Sequence, residues 1–303
     1  ECEGFTNQLE VIDISNLKNP YLSFSIARYL RNGRDSTLVQ ISNNKGASWK
    51  SLNSVNSSNW YNYNDNKVWS DSNKVYWHSV SCQLPDTSKR IMLRIITLKI
   101  DSFKTPIWLG SSAIDDIHIY DAGKTVADSI SQEHSGVIEN AGNGWKEINI
   151  NGKLSAAINF NGQNAGTTNW QLVPSKGFFT ILNGRKLLKN RWIFKSSKEL
   201  QKPVRIRLYF SDREAEMLRA LNKCTGCPDT VSAYNFSIYQ FADASIFINA
   251  LKRDNTASRY KIMDASQFDL IPYINGYYAE FMTYLEGEFY IQMPERFALP
   301  GIT

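Results

Sequence analysis

The sequence predicts an all-β protein made of two tandem antiparallel β-sandwiches. Three observations predict this class. Apolar and polar residues alternate in many short segments, and this period of two places one face of each strand on a core. Turn residues separate these segments at the spacing found in sandwiches. Phe, Trp and Tyr make up 13% of the 303 residues, and aromatic residues favour strands.

The first half contains seven predicted strand segments. Asn19-Pro20 separates the first two, and the turn at residues 43–46 joins the third and fourth as a hairpin. The segments are residues 9–15, 21–29, 36–42, 48–52, 75–80, 90–98 and 108–120. Asp121-Ala122-Gly123 then breaks the alternation, so we place a domain boundary near residue 125, between domains 1–125 and 126–303.

The second half continues the same pattern and adds one short helix. Asn151-Gly152 and Asn161-Gly162 are strong hairpin signals between alternating segments. Ser211 and Glu214 have the spacing of a capping box, which predicts a helix over residues 215–221. The predicted strands are residues 145–150, 154–160, 177–182, 192–195, 204–210, 234–239, 261–263, 277–284 and 288–292.

Charge and hydropathy limit the classes of partner. The net charge of +5 comes from 34 basic and 29 acidic residues, and these charges are scattered instead of forming the basic patch that nucleic acids need. No apolar run is long enough to span a bilayer. We therefore expect no nucleic-acid partner and no membrane span. We also expect the chain to be a mature or excised piece of a longer protein that is a monomer as an isolated fragment.

Four cysteines suggest two disulfides and an oxidising compartment. Cys2 and Cys82 lie far apart, and Cys224 and Cys227 form a CxxC motif. Zinc binding would need further ligands that three scattered histidines do not supply. A thioredoxin-like motif would open a helix, whereas Pro228 follows this one. Reduced structural thiols are the other alternative.

The first half resembles the MAM-like jelly-roll domains of large secreted Bacteroidetes proteins, which are related in fold to laminin-G sandwiches. The likeness rests on PYLSF at 20–24, LVQIS at 38–42, GASW at 46–49, RIMLRII at 90–96 and, above all, WLG at 108–110 before AIDDI at 113–117. This resemblance implies secretion or an outer-surface location.

The second half is similar to a module that often precedes a type IX secretion sorting domain. The matching stretches are GKLSAAIN at 152–159, RIRLYF at 205–210, and YAEF at 278–281 before GEF at 287–289. The resemblance implies that a sorting domain follows residue 303 in the full protein. Such modules accompany peptidases, glycoside hydrolases and adhesins alike, so fold alone does not give the activity.

Asp115 and Asp116 are candidate calcium ligands. Strand alternation sends one carboxylate inward and one outward, where a loop carbonyl could join it. The resemblance points the same way, because related sandwiches bind calcium near such positions. In the alternative, Asp115 accepts hydrogen bonds from backbone amides and Asp116 is solvated. Calcium is the only cofactor that we expect.

A loop that mixes aromatic residues with amides is a candidate glycan site. Trp60, Tyr61, Tyr63 and Trp69 could stack on sugar rings while neighbouring Asn side chains bind hydroxyl groups. In the alternative, these rings pack on the sandwich and the Asn residues form turns. The sequence leaves both interpretations open.

The sequence shows no nucleophile elbow, HExxH motif or glycine-rich phosphate loop, so we predict no catalytic residues. His78 and His118 fit structural positions on strands. Alternation with aromatic residues predicts that Glu280, Glu286 and Glu288 face solvent.

We therefore predict a non-catalytic binding or adhesion module on the cell surface or in the secreted fraction. Its partner would be an extracellular glycan or a protein surface, contacted by loops at the sandwich ends. The alternative is the non-catalytic tail of a larger secreted hydrolase or peptidase. An enzyme is the third and least supported interpretation.

Overall fold

A computed structural model describes residues 4–53, 55–62, 67–71, 74–85, 89–99, 111–128, 130–139, 143–164, 166–174, 180–181, 185–188, 190–221, 232–241 and 260–293. These residues form an all-β protein with antiparallel sheets and one α-helix, which confirms the predicted fold class. The chain divides into two compact units. The first contains residues 1–125 and 272–277, and the second contains residues 126–271 and 278–303.

The first unit is a sandwich of two antiparallel sheets. Its strands are β1 (Gly4–Gln8), β2 (Ile12–Asp13), β3 (Pro20–Tyr29), β4 (Asp35–Ser42), β5 (Lys50–Ser51), β6 (His78–Gln83), β7 (Arg90–Lys99) and β8 (Ser111–Asp121). One sheet has the order β1-β7-β4-β5, with β2 also paired to β7, and the other has the order β6-β3-β8. The predicted hairpin of β4 and β5 is confirmed, with Gln40 opposite Ser51.

Apolar side chains from both sheets form one core. Phe24 on β3 and Val39 on β4 are fully buried in the same cluster as Leu93 on β7. Residues 272–277 also belong to this unit, where Tyr273 stacks on Tyr120 with ring centroids 4.9 Å apart. Burial of these apolar side chains stabilises the unit, since removal of apolar area from water is the dominant favourable term in folding.

The second unit contains a five-stranded and a six-stranded sheet. Its elements are β9 (His134–Glu139), β10 (Trp145–Ile150), β11 (Lys153–Asn159), β12 (Thr167–Pro174), β13 (Thr180–Ile181), β14 (Arg185–Lys186), β15 (Asn190–Ser196), β16 (Val204–Ser211), α1 (Asp212–Leu221), β17 (Ser237–Phe241), β18 (Tyr260–Met263), β19 (Asp269–Tyr273), β20 (Gly276–Thr283) and β21 (Gly287–Gln292). The last two residues of β19 and the first two of β20 are grouped with the first unit. The sheet orders are β10-β11-β16-β20-β19 and β18-β17-β21-β15-β12-β9, while β13 pairs with β14.

Large buried side chains pack between these two sheets. The Trp192 indole on β15 donates from Nε1 to the Ser155 carbonyl oxygen on β11 at 3.1 Å. Phe289 on β21 lies 5.7 Å from Phe281 on β20, between ring centroids. A buried Trp needs a partner for its N–H group, and Ser155 supplies one.

Two local predictions in this unit are confirmed. Asn151 and Gly152 have φ of 51° and 80° and close the hairpin of β10 and β11. The capping box is present, because the Glu214 amide donates to Ser211 Oγ at 3.2 Å and the Ser211 amide donates to Glu214 Oε2 at 2.9 Å. The helix starts at Asp212, three residues before the predicted start.

The second Asn-Gly pair was wrongly predicted to close a hairpin. Asn161 and Gly162 also have positive φ, at 52° and 77°. The strands on either side, β11 and β12, lie in different sheets, so this turn carries the chain from one sheet to the other. Turn residues fix the local backbone, whereas strand pairing also depends on the other strands available.

Candidate functional site

The aromatic residues predicted to contact a glycan lie in the core of the first unit. Trp60, Tyr61 and Trp69 are 6%, 5% and 0% exposed. Trp69 contacts both other rings, with centroids 5.1 and 4.8 Å away. The Tyr61 hydroxyl donates to the Val39 carbonyl oxygen at 3.1 Å. These three side chains present no ring face to a ligand and follow the structural alternative, while Tyr63 lies outside the described residues.

The Asp115-Asp116 pair lies at a β-bulge in β8. Ser25 on β3 is opposite Asp115 and Ser23 is opposite His118, so one residue of β3 faces two residues of β8. Asp116 has φ of 51° and its amide donates to Asp115 Oδ1 at 2.9 Å. The described residues contain no group of three or more His, Cys, Asp or Glu that could hold a metal.

Calcium at this bulge therefore stays a prediction. Calcium takes six to eight oxygen ligands, and Asp115 and Asp116 provide carboxylates from one strand only. A calcium site would raise the melting temperature in millimolar calcium, because a ligand that binds only the folded state stabilises it. The rise should disappear after EDTA and in Asp115→Ala; an unchanged midpoint would rule the site out.

The cysteine prediction needs a correction at Cys82. Cys82 is a free, fully buried thiol, and no disulfide is seen in the part of the chain that is described. Its Sγ lies 2.8 Å from the Asn53 carbonyl oxygen, which accepts its weak hydrogen bond. Burial raises the pKa of the Cys82 thiol to about 12, so the thiol stays protonated and unreactive. Cys2, Cys224 and Cys227 lie outside the described residues.

An open cleft of about 460 Å³ lies at one end of the first sandwich. It forms where β3 begins and β6 ends in one sheet, and where β4 ends and β5 begins in the other. Such a volume falls in the range of small-molecule sites. Its lining consists of Lys18, Pro20, Ile41, Asn43, Ser48, Lys50, Ser51, Leu52, Asn53, Val55, Gln83, Leu84 and Pro85.

Hydrogen bonds hold the wall formed by β6 and β3. The Gln83 side chain donates to Asn19 Oδ1 at 2.7 Å and accepts from Asn56 Nδ2 at 2.5 Å. The Leu84 amide donates to the Pro20 carbonyl oxygen at 2.9 Å. This wall is fixed before any ligand arrives, and preorganisation reduces the entropy cost of binding.

A second set of hydrogen bonds holds the opposite wall, the turn between β4 and β5. The Ser48 amide donates to Asn44 Oδ1 at 2.9 Å, and Asn44 Nδ2 donates to Ser48 Oγ at 2.8 Å. The Gly46 amide donates to the buried Ser42 hydroxyl at 2.9 Å. Asn43 and Lys50 are therefore presented to the cleft by a rigid turn.

The sequence predicted recognition by loops at the sandwich ends but did not single out the residues of this cleft. Its lining comes from four separate stretches between Lys18 and Pro85 and carries no motif. The turn at residues 43–46 was the one signal available, because functional residues concentrate on loops between rigid strands.

Glu280 was wrongly predicted to face solvent. It is 7% exposed and lies between two arginines of β16. Arg207 Nε donates to Glu280 Oε2 at 2.7 Å, and an Arg205 amino group lies 2.5 Å from Oε1. The Arg207 guanidinium also lies over the Trp145 ring at 3.9 Å and the Tyr278 ring at 4.6 Å. Ionic and cation–π contacts thus join strands β10, β16 and β20.

The same prediction fails for Glu288, which is 0% exposed on β21. Tyr290 donates its hydroxyl to Glu288 Oε2 at 2.6 Å, and Arg191 Nη1 lies 3.4 Å from the same oxygen. Burial and then the Glu288 charge raise the pKa of Tyr290, so the phenol remains a donor and is not an activated nucleophile. This group is a structural ion pair, whereas Glu286 is exposed as predicted.

Within the described ranges, no helix is both long enough and apolar enough to cross a membrane. No protein-family model matches the chain, and no curated protein matches it significantly. The resemblance to MAM-like and sorting-associated modules therefore stays a prediction.

Proposed function

We propose that this chain is a non-catalytic binding module of a secreted or cell-surface protein, and that it holds an extracellular ligand in the cleft of the first unit. The observation that carries this proposal is the rigid cleft at the sandwich end. It combines aliphatic side chains with side-chain amides and hydroxyls, the mixture typical of ligand sites. The buried aromatic residues, in contrast, stabilise the scaffold.

The direct test is binding of the purified chain to immobilised glycans and extracellular-matrix proteins. Asn43→Trp places a bulky ring in the cleft from an exposed position and should abolish binding. Val11→Trp is the matched control, because Val11 is 48% exposed in the same unit and lies outside the cleft lining. Equal loss in both variants, or binding that survives Asn43→Trp, would contradict the proposal.

Cys82 provides an independent reporter of the same cleft. Its thiol contacts the carbonyl oxygens of Asn53 and Gln83, which both line the cleft, at 2.8 and 3.3 Å. Alkylation of Cys82 requires this wall to open, so a ligand in the cleft should slow the reaction. Mass spectrometry of the Cys82 peptide separates its labelling from that of the other cysteines.

An accessory tail of a larger hydrolase or peptidase would use the same cleft to hold its enzyme on a substrate. The full-length gene distinguishes the two roles. A catalytic motif upstream favours the tail, and repeated copies of the first domain favour an adhesin.

A further inference from the structure

The charged side chains that line the cleft in the described part of the chain are all basic. Lys18 and Lys50 are both exposed at the cleft, and the described lining contains no carboxylate. Asp121 accepts a hydrogen bond from the Asn19 amide at 2.7 Å and is not among the lining residues. Two ammonium groups in a concave surface attract anions.

The uncharged lining suits a molecule rich in hydroxyl groups. Side-chain amides and hydroxyls each donate and accept hydrogen bonds, which matches the dual character of a sugar hydroxyl. These groups belong to Asn43, Ser48, Ser51, Asn53 and Gln83. A cleft of about 460 Å³ has room for one or two sugar rings, and these five polar side chains can bind their hydroxyl groups.

The apolar part of the lining is aliphatic. Ile41, Val55 and Pro85 provide C–H surface, whereas Pro20, Leu52 and Leu84 are themselves buried. No aromatic ring lines the cleft within the described residues. A neutral sugar usually depends on stacking against an aromatic ring for much of its affinity. In this cleft the lysines must supply that affinity, which favours a charged sugar over a neutral one.

We infer that the cleft binds an acidic saccharide, one or two sugar residues that carry a carboxylate or sulfate group. The inference rests on the proposed binding function and names its ligand class. An acidic peptide fits less well, because an extended peptide binds by adding to a sheet edge. The edge strand at the cleft, β5, has two residues and offers a very short ladder.

The test is isothermal titration of the full chain with acidic disaccharides, namely digalacturonate and a sulfated heparin disaccharide. Cellobiose is the neutral comparison. We expect both acidic sugars to bind at least tenfold more tightly than cellobiose. Affinity should fall severalfold as ionic strength rises, because the lysines are exposed and salt screens them.

Substitutions of single lysines test whether Lys18 and Lys50 provide the affinity for acidic sugars. Lys18→Gln and Lys50→Gln should each weaken binding of the acidic sugars by about three- to tenfold, since each removes one ion pair at a partly exposed site. Lys45→Gln is the matched control, because Lys45 is exposed in the turn between β4 and β5 but does not line the cleft. A tetraglutamate peptide tests the competing ligand class.

Several results would overturn the inference. Failure of both acidic disaccharides to bind at millimolar concentration would do so, and so would cellobiose binding as tightly as they do. Tighter binding of tetraglutamate would assign the cleft to acidic peptides. In each case the Asn43→Trp comparison on the wider ligand panel still decides separately whether the cleft is a binding site.

Discussion

Replacement of Glu288 by glutamine is the sharpest test of the second unit. Glu288→Gln keeps the shape of the side chain and removes its charge. The Tyr290 hydroxyl at 2.6 Å and Arg191 at 3.4 Å then lose their charged acceptor. A hydrogen bond to a charged group contributes about 1.5–3 kcal/mol, and loss of one partner of a buried pair costs about 3–5 kcal/mol.

The expected loss of stability overlaps the upper part of the first range and the lower part of the second. Glu288 is fully buried, whereas the Arg191 side chain is 24% exposed and water can solvate it after the substitution. We therefore expect Glu288→Gln to lower the free energy of unfolding by about 2–4 kcal/mol. For a domain of this size that corresponds to a fall in melting temperature of about 5–15 °C.

Urea denaturation measures this change, and hydrogen exchange of β21 peptides assigns it to the second unit. Glu286→Gln is the control, because Glu286 is exposed two residues before Glu288 and its replacement should change stability by at most about 0.5 kcal/mol. Tyr290→Phe completes a double-mutant cycle, in which we expect a coupling of about 1–3 kcal/mol. Equal stability of Glu288→Gln and Glu286→Gln would refute the buried ion pair.

Three further predictions concern single residues. The pKa of Cys82 is about 12 in the folded state and 9.0 when unfolded, so the free energy of unfolding falls as pH rises between these values. Cys82→Ala should reduce the slope of the unfolding free energy against pH by about 1.4 kcal/mol per pH unit, measured by urea denaturation at several pH values. Gly136→Ala would place a Cβ atom 2.8 Å from the Trp170 ring and should cost about 1–3 kcal/mol, which Trp170→Leu should partly restore. Gly152→Ala should cost about 1 kcal/mol at its φ of 80°, whereas Gly123→Ala, which meets open space, should leave the melting temperature unchanged.

Local chemistry explains which parts of the fold the sequence could predict. The strand at Trp145–Ile150 and the turn at Asn151-Gly152 depend on alternation and on positive φ, which are encoded within a few residues. The Ser211 capping box is equally local. Strands β1, β9, β12, β14 and β19 were missed. Among them, β9 and β12 contain polar and small residues such as Gly136 and Asn169 that weaken the alternating signal.

Burial of the acidic residues could not be predicted in the same way. Alternation assumes that one face of a strand meets water, but every residue of β21 is buried. The partners that make burial of Glu288 and Glu280 tolerable, Arg191 and Arg207, are 97 and 73 residues away in sequence. A buried charge needs such partners, and only the pairing of β15 with β21 and the packing of β16 beside β20 bring them together.

The proposed binding cleft and the aromatic core of the first unit can be tested separately. Trp60, Tyr61 and Trp69 fill the core. The cleft adds exposed polar side chains such as Asn43 and Lys50 to aliphatic ones, of which Leu52 and Leu84 also belong to the core cluster. A core substitution such as Trp69→Ala should therefore lower stability by about 3–5 kcal/mol, because a fully buried ring leaves a cavity. Asn43→Trp should remove binding while leaving the denaturation midpoint within experimental error. If both substitutions altered stability and binding together, the cleft would be part of the core and not an independent site.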